Sequence, residues 1–224
     1  NSLSRPFCPL LRSSEAWIDY VENWAIASNR SPVQGLAQGV SELRECGLSA
    51  TIIEVFKLLS AITIAIDHHL RGETLGAIAK VRTAGQHRIL SLPTSIELQD
   101  EVLFNPHIYE ACRTTILTYG IAVIFPVSNA YSLLHELVRR LKASLMCFGL
   151  QNGEETISDF YLWMLVLGGI AASDGPDRTW FVAELGHFRR KRCLYDFESI
   201  EQVLSSFLWL GSACNSGARL LWSE

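Results

Sequence analysis

The stretch from Phe160 to Ala172, FYLWMLVLGGIAA, constrains the fold of this chain more than any other. Phe160, Trp163, Met164, Leu167 and Ile170 recur at helical spacing on one face, and Leu162, Leu165 and Val166 cover the opposite one. A helix that is apolar all round must be enclosed, either by protein or by lipid. Lipid needs roughly 18–20 apolar residues, and this run is shorter and bounded by Asp159 and Asp174. It predicts a helix at the centre of a helical domain, with the rest of the chain as its cover.

The remaining segments read as that cover. Ser14 to about Ser28 places Trp17, Ile18, Val21 and Trp24 on one side, and Ser31-Pro32 is an N-cap followed by proline at the first helical position, with Gly47 as the C-terminal stop. Ile52 to Leu70 is apolar on most sides, with Glu54 and Lys57 one turn apart, and Arg71-Gly72 closes it. Glu73 to Leu92 is more polar and stops at Pro93; a loop to Asn105 follows. Asn105-Pro106 opens a helix that ends at Phe125-Pro126, because proline disfavours helix in the residue before it. Ser128 caps a helix burying Leu134, Leu137, Val138, Leu141 and Leu145, with Glu136 and Arg140 paired outside. Asp174 to Asp177 is a turn by composition. Ser199 to Gln202 has the form of a capping box, ahead of an inward stripe of Ile200, Val203, Leu204, Phe207 and Leu208. Strand alternation and internal repeats are lacking. The expected fold is all-α: one domain over residues 1–224, with about eight to ten helices around a buried central one.

Composition narrows the function. Hydrophobic residues make up 49% of the chain and charged residues 19%, and the net charge is -4. A duplex-binding surface is normally basic. The cysteines (Cys8, Cys46, Cys112, Cys147, Cys193, Cys214) stand far apart, so they read as reduced core thiols and not as a disulfide framework or a zinc site. The N-terminal NSLSRPFCPLLRSS has neither an initiator Met nor an apolar signal core, so targeting is not read from it. Phosphate-binding glycine motifs are missing, and Ser212 in GSACNSG does not fit a nucleophile elbow.

Several blocks carry a likeness to known proteins. YLWMLVLGGIAA from Tyr161, then Trp180-Phe181-Val182, then FLWLGSACNSGARLLW from Phe207 resemble the end of the fungal-specific transcription factor domain, the helical regulatory half of binuclear zinc cluster regulators. Gln86 to Pro93 (QHRILSLP) and Glu110 to Arg113 (EACR) fit as well, and the likeness covers roughly the last 140 residues in blocks. It implies a nuclear regulatory domain that senses a small molecule or holds a partner. It also implies that zinc belongs only to an N-terminal cluster absent from this chain, through which alone DNA would be held.

Candidate functional residues are few, and no catalytic or metal-binding set is read. His68 and His69 are adjacent on a helix and point about 100° apart, so they cannot share a metal from that helix; Asp67 and Arg71 read as a surface pair. Glu184 and His187 form one Glu-x-x-His unit where a di-iron bundle needs two. His107-Ile108-Tyr109-Glu110 reverses that order and reads as a first helical turn, where Glu110 suits the dipole. His87, Arg178 and Trp180 are the candidate ligand-binding residues. Arg178 near a helix start opposes the dipole and so calls for a carboxylate, Asp174 or Asp177. Arg189 to Arg192 is either a solvated helix end or a nuclear-import signal. Trp163 and Trp209 are read as lying in apolar helices, as core or as pocket wall.

The favoured reading is a regulatory or ligand-sensing domain. Its expected partners are a small apolar ligand, a second copy of the chain or a regulatory protein, and no membrane. The alternative is a stand-alone helical enzyme of fungal small-molecule biosynthesis on the same scaffold. The apolar surplus in Ile52–Ile66, Ile116–Phe125 and Phe160–Ala172 is expected to line a cavity or to meet another subunit.

Overall fold

A computed structural model describes residues 44, 48–70, 85–98, 105–126, 130–152, 158–172, 175–194 and 196–224. Several expectations lie outside the described residues: the helix from Ser14 to Ser28, the start at Ser31-Pro32, Gly47, residues 73–84, the Asp67–Arg71 pair, the side chains of His68 and His69, and the Ser128 cap.

The described residues are all-α and contain no strand. In chain order α1 spans Ala50–Leu70, α2 residues 85–90, α3 Pro106–Tyr119, α4 Tyr131–Asn152, α5 Ser158–Ala171, α6 Pro176–Arg192, α7 Phe197–Ser205 and α8 Gly211–Ser223. A 3-10 turn, Ser95–Leu98, follows α2, and a π turn, Gly120–Ile124, extends α3. Helix α5 occupies the centre, touching α3, α4, α6, α7 and α8. Every residue from Phe160 to Leu167 is buried. Trp163 is its hub: its ring stacks on Phe160 and Phe207 and meets Phe56 of α1 edge-on. Its indole Nε1 donates to the Leu208 carbonyl at 3.0 Å, so the polar atom of a fully buried Trp is satisfied.

The glycine pair of α5 explains how its neighbours come so close. A Cβ on Gly168 would lie 2.5 Å from the Phe181 ring of α6 and 2.8 Å from Leu141 of α4. A Cβ on Gly169 would lie 2.5 Å from Leu221 of α8. Most of the apolar surface of α5 is thus covered by neighbouring elements, with Ile170 and Ala171 left partly buried.

Helix ends follow local chemistry, with some departures from expectation. Asn105 caps α3, its side chain accepting from the His107 and Ile108 amides, with Pro106 just inside. The helix runs on to Phe125, but its last turn relaxes to π geometry. Glu110 lies beyond the first turn of α3; its carboxylate accepts instead from the Ser95 amide and from Arg113. The N-cap of α7 is Asp196, whose Oδ1 accepts from the Ser199 amide at 2.7 Å. Ser199 is therefore a capped residue and not the cap, since a carboxylate three residues upstream takes its amide first. Helix α7 ends at Ser205, so Phe207, Leu208 and Trp209 sit in the connection to α8 and not in a helix. Their apolar side chains stay buried all the same. Gly175 precedes α6 at φ 139, a value that L side chains rarely adopt, and Pro176 opens the helix behind it.

Candidate functional site

Helices α6 and α8 meet at a corner rich in guanidinium groups. Arg189 donates from Nη1 to the Trp222 carbonyl at 2.9 Å and lies 3.4 Å above the centroid of the Trp222 ring. Partial burial lowers its pKa below the ordinary arginine value. Trp222 meets Phe197 edge-on, and Arg219 covers Phe197 at 4.3 Å, facing Glu198 and Glu201. Trp209 donates to Asn215, and Asn215 donates on to Glu201. Together these contacts tie α6, α7 and α8 at one end.

Arg178 does the same at the start of α6. Its guanidinium donates to the carbonyls of Gly169 and Ala172 at 3.0 and 3.1 Å, capping the end of α5, and to the Glu224 side chain at 2.6 to 3.2 Å. Of the expected partners, Asp177 pairs instead with Lys142 at 2.9 Å, and Asp174 lies outside the described residues. A carboxylate distant in sequence is brought to Arg178 by the packing of α8. Its pKa is held below the usual carboxylate value by the bonds from Arg178.

Between these ties lies a cleft of about 530 Å³, lined by Val182, Ala183, Leu185, Gly186, Arg189 and Arg190 of α6, by Leu194, and by Leu221 and Glu224. Its walls are mainly apolar and its rim is charged, the composition usual for small-ligand sites. None of the three surplus apolar segments lines it. Arg190 is exposed, and among the described residues no carboxylate pairs with it.

The structure does not gather the candidate residues read from the sequence. Arg178 reaches Glu224 at the cleft's edge. Trp180 turns to a different flank of α6, edge-on to Phe181 with the Lys142 ammonium 5.9 Å away. His87 is exposed on α2, 3.5 Å from the Ser91 hydroxyl, beside an Arg88–Glu54 pair. Glu184 accepts from the Tyr161 hydroxyl. Among the described residues no three His, Cys, Asp or Glu side chains gather as a metal site, and Cys112, Cys147, Cys193 and Cys214 are free thiols. Burial pushes the Cys214 thiol up to about 11. In the described residues no helix is long and apolar enough to cross a membrane. The cleft went unread in the sequence, although an isolated glycine inside a helix, Gly186, was a usable signal.

Comparison with known proteins brings no relative: no family model matches the chain, and neither a curated protein nor a solved structure matches it.

Proposed function

We propose that this chain is a regulatory domain of the kind found in fungal zinc cluster transcription factors, sensing a ligand and relying on another module to hold DNA. The observation that carries the reading is where the resembling blocks lie. Gly168 and Gly169 of the GGIAA block receive Phe181 of the WFV block and Leu221 of the ARLLW block, and Trp163 bonds to the LWL block. Blocks scattered in sequence form one packed unit, and the α6–α8 cleft is cut into that unit. The groups presented there are guanidinium, carboxylate and apolar wall, a set suited to holding a ligand. Nuclear residence, and zinc only in a separate cluster, belong to the same proposal.

A reporter assay tests it. The 224-residue chain is fused to a heterologous DNA-binding module, and output is compared with that of the Arg190→Glu variant. Output that shifts several-fold while the variant keeps its helical circular dichroism supports a regulatory role for the cleft. Output that is the same with both chains, and with the module alone, overturns it.

A further inference from the structure

Among the described residues, Gly211 opens α8, where an added Cβ would lie 3.3 Å from the Asn215 side chain, and the glycines inside helices divide into two kinds. At Gly85, Gly120, Gly168, Gly169 and Gly217 an added Cβ would come within 3.0 Å of a neighbouring side chain, so packing accounts for the missing methyl. Gly186 differs. A Cβ there would meet only Arg190 Nη1, at 3.6 Å, an ordinary contact. Glycine is among the poorest helix residues, and nothing in the packing of α6 calls for it. Gly186 lines the cleft. A bare backbone at the surface of a cavity serves close approach of something that fills the cavity.

The side chain over Gly186 states what that is. The Arg190 guanidinium folds back above it, at the cleft, with no carboxylate partner among the described residues. Arg189 is taken by the Trp222 ring and carbonyl, and Glu224 by Arg178. Arg190 is therefore left as a forked donor beside the apolar walls of Val182, Leu194 and Leu221. A planar monoanion is the natural complement of one guanidinium, because two parallel N–H···O bonds fit a carboxylate. A doubly charged phosphate would call on Arg189 as well, which is already engaged. The volume, about 530 Å³, falls in the range of small-ligand sites.

We infer that the α6–α8 cleft binds a small amphipathic monocarboxylate, its carboxylate on Arg190 and its apolar body over Gly186. This identifies the class of ligand and rests on the ligand-sensing reading above.

The test uses the full chain with decanoate and 1-decanol as probes, in calorimetric titration and thermal shift. Decanoate is expected to bind saturably and at least tenfold more tightly than decanol, and Arg190→Gln to abolish that preference. Gly186→Ala is the sharper variant. Relieved of its glycine, the free chain should melt roughly 2–4 °C higher, yet bind decanoate at least tenfold more weakly. A Gly186→Ala protein that is both more stable and equally tight in binding overturns the inference, as does equal affinity for decanoate and decanol. If the reporter responds to Arg190→Glu but decanoate does not bind, or if an acidic amphipathic peptide takes the cleft in its place, the monocarboxylate is refuted and the regulatory reading stands. If decanoate binds as described and the reporter is indifferent, the binding site holds and the regulatory reading falls.

Discussion

Gly168 shows how much a single methyl can matter. Its absent Cβ leaves room for the Phe181 ring and Leu141, both fully buried and boxed in by other core residues. Gly168→Ala would gain helix propensity but force an overpacked core, which costs about 1–3 kcal/mol. We expect a net loss of roughly 1–2 kcal/mol in urea unfolding; a variant as stable as the parent would show that α5 and α6 have slack. The same residue type thus has opposite expected effects at two positions, destabilising when replaced at 168 and stabilising when replaced at 186. Tyr119 supplies a second residue-scale case. Its hydroxyl shares a 2.9 Å hydrogen bond with Thr63 across α1 and α3, and burial raises its pKa well above the usual phenol value. Thr63 also donates to the Leu59 carbonyl. Tyr119→Phe therefore removes one buried bond without orphaning its partner, and about 1 kcal/mol should be lost. A loss of several kcal/mol would mean that the hydroxyl serves a larger network.

The ends of elements are where this fold is fastened. Arg178 caps α5 with two hydrogen bonds to its last carbonyls while tying it to Glu224, and its side chain is mostly buried. Removing it leaves carbonyls and a carboxylate without their donor. Arg178→Ala should cost about 2–3 kcal/mol, the usual scale for bonds to a charged group, with Glu224→Ala costing less because only the exposed partner is lost. If the two truncations destabilise equally, the cap on α5 is not what Arg178 contributes. Helix α6 ends at Cys193, at φ 52, in the left-handed region, with its amide bonded to the Arg189 and Arg190 carbonyls. The adjoining basic run is not a uniform solvated end. Arg189 is fixed on Trp222, Arg192 reaches Asp159 at 3.4 Å, and Arg190 remains at the cleft.

At the scale of the whole molecule the surface carboxylates set the acid limit of stability. Glu136 is held down to about 2 by hydrogen bonds from Arg139 and Arg140, and Asp196, Glu97 and Glu224 are also lowered, by bonds from Ser199, Thr94 and Arg178. A carboxylate with a depressed folded pKa stabilises above its unfolded value and loses that contribution as pH falls through the folded one. The urea midpoint should therefore decline from about pH 4.5 down to 2, and Glu136→Gln should flatten part of the decline; a midpoint constant across this window would contradict it. Net charge bears on nucleic acid. With -4 overall and most of the described arginines engaged with aromatic rings, carbonyls and carboxylates, the chain is expected to show no tight, salt-sensitive, sequence-selective duplex binding in a mobility-shift titration.

What the sequence determined by itself was local and periodic. The all-round apolarity of Phe160–Leu167 required a buried central helix, Asn105-Pro106 marked the start of α3, and the stripe through Leu134, Leu137, Val138, Leu141 and Leu145 marked the inward face of α4, with only Leu134, near the helix start, left half-buried. These follow from the 3.6-residue repeat and from capping, which act over a turn or two. Tertiary packing alone decided which distant groups meet. Asp177 stood next to Arg178 in sequence, yet Glu224 holds it, because α8 lies beside α5 where Gly169 admits Leu221. His87 and Trp180 were plausible as residue types, but the packing turned them to separate surfaces. The cleft was invisible for the same reason: Gly186 and Arg190 lie one turn apart on α6, but a cavity exists there only because Leu221 and Glu224 of a later segment close it. Periodicity shows which side of a helix is buried, and the order in which helices dock determines what that side encloses.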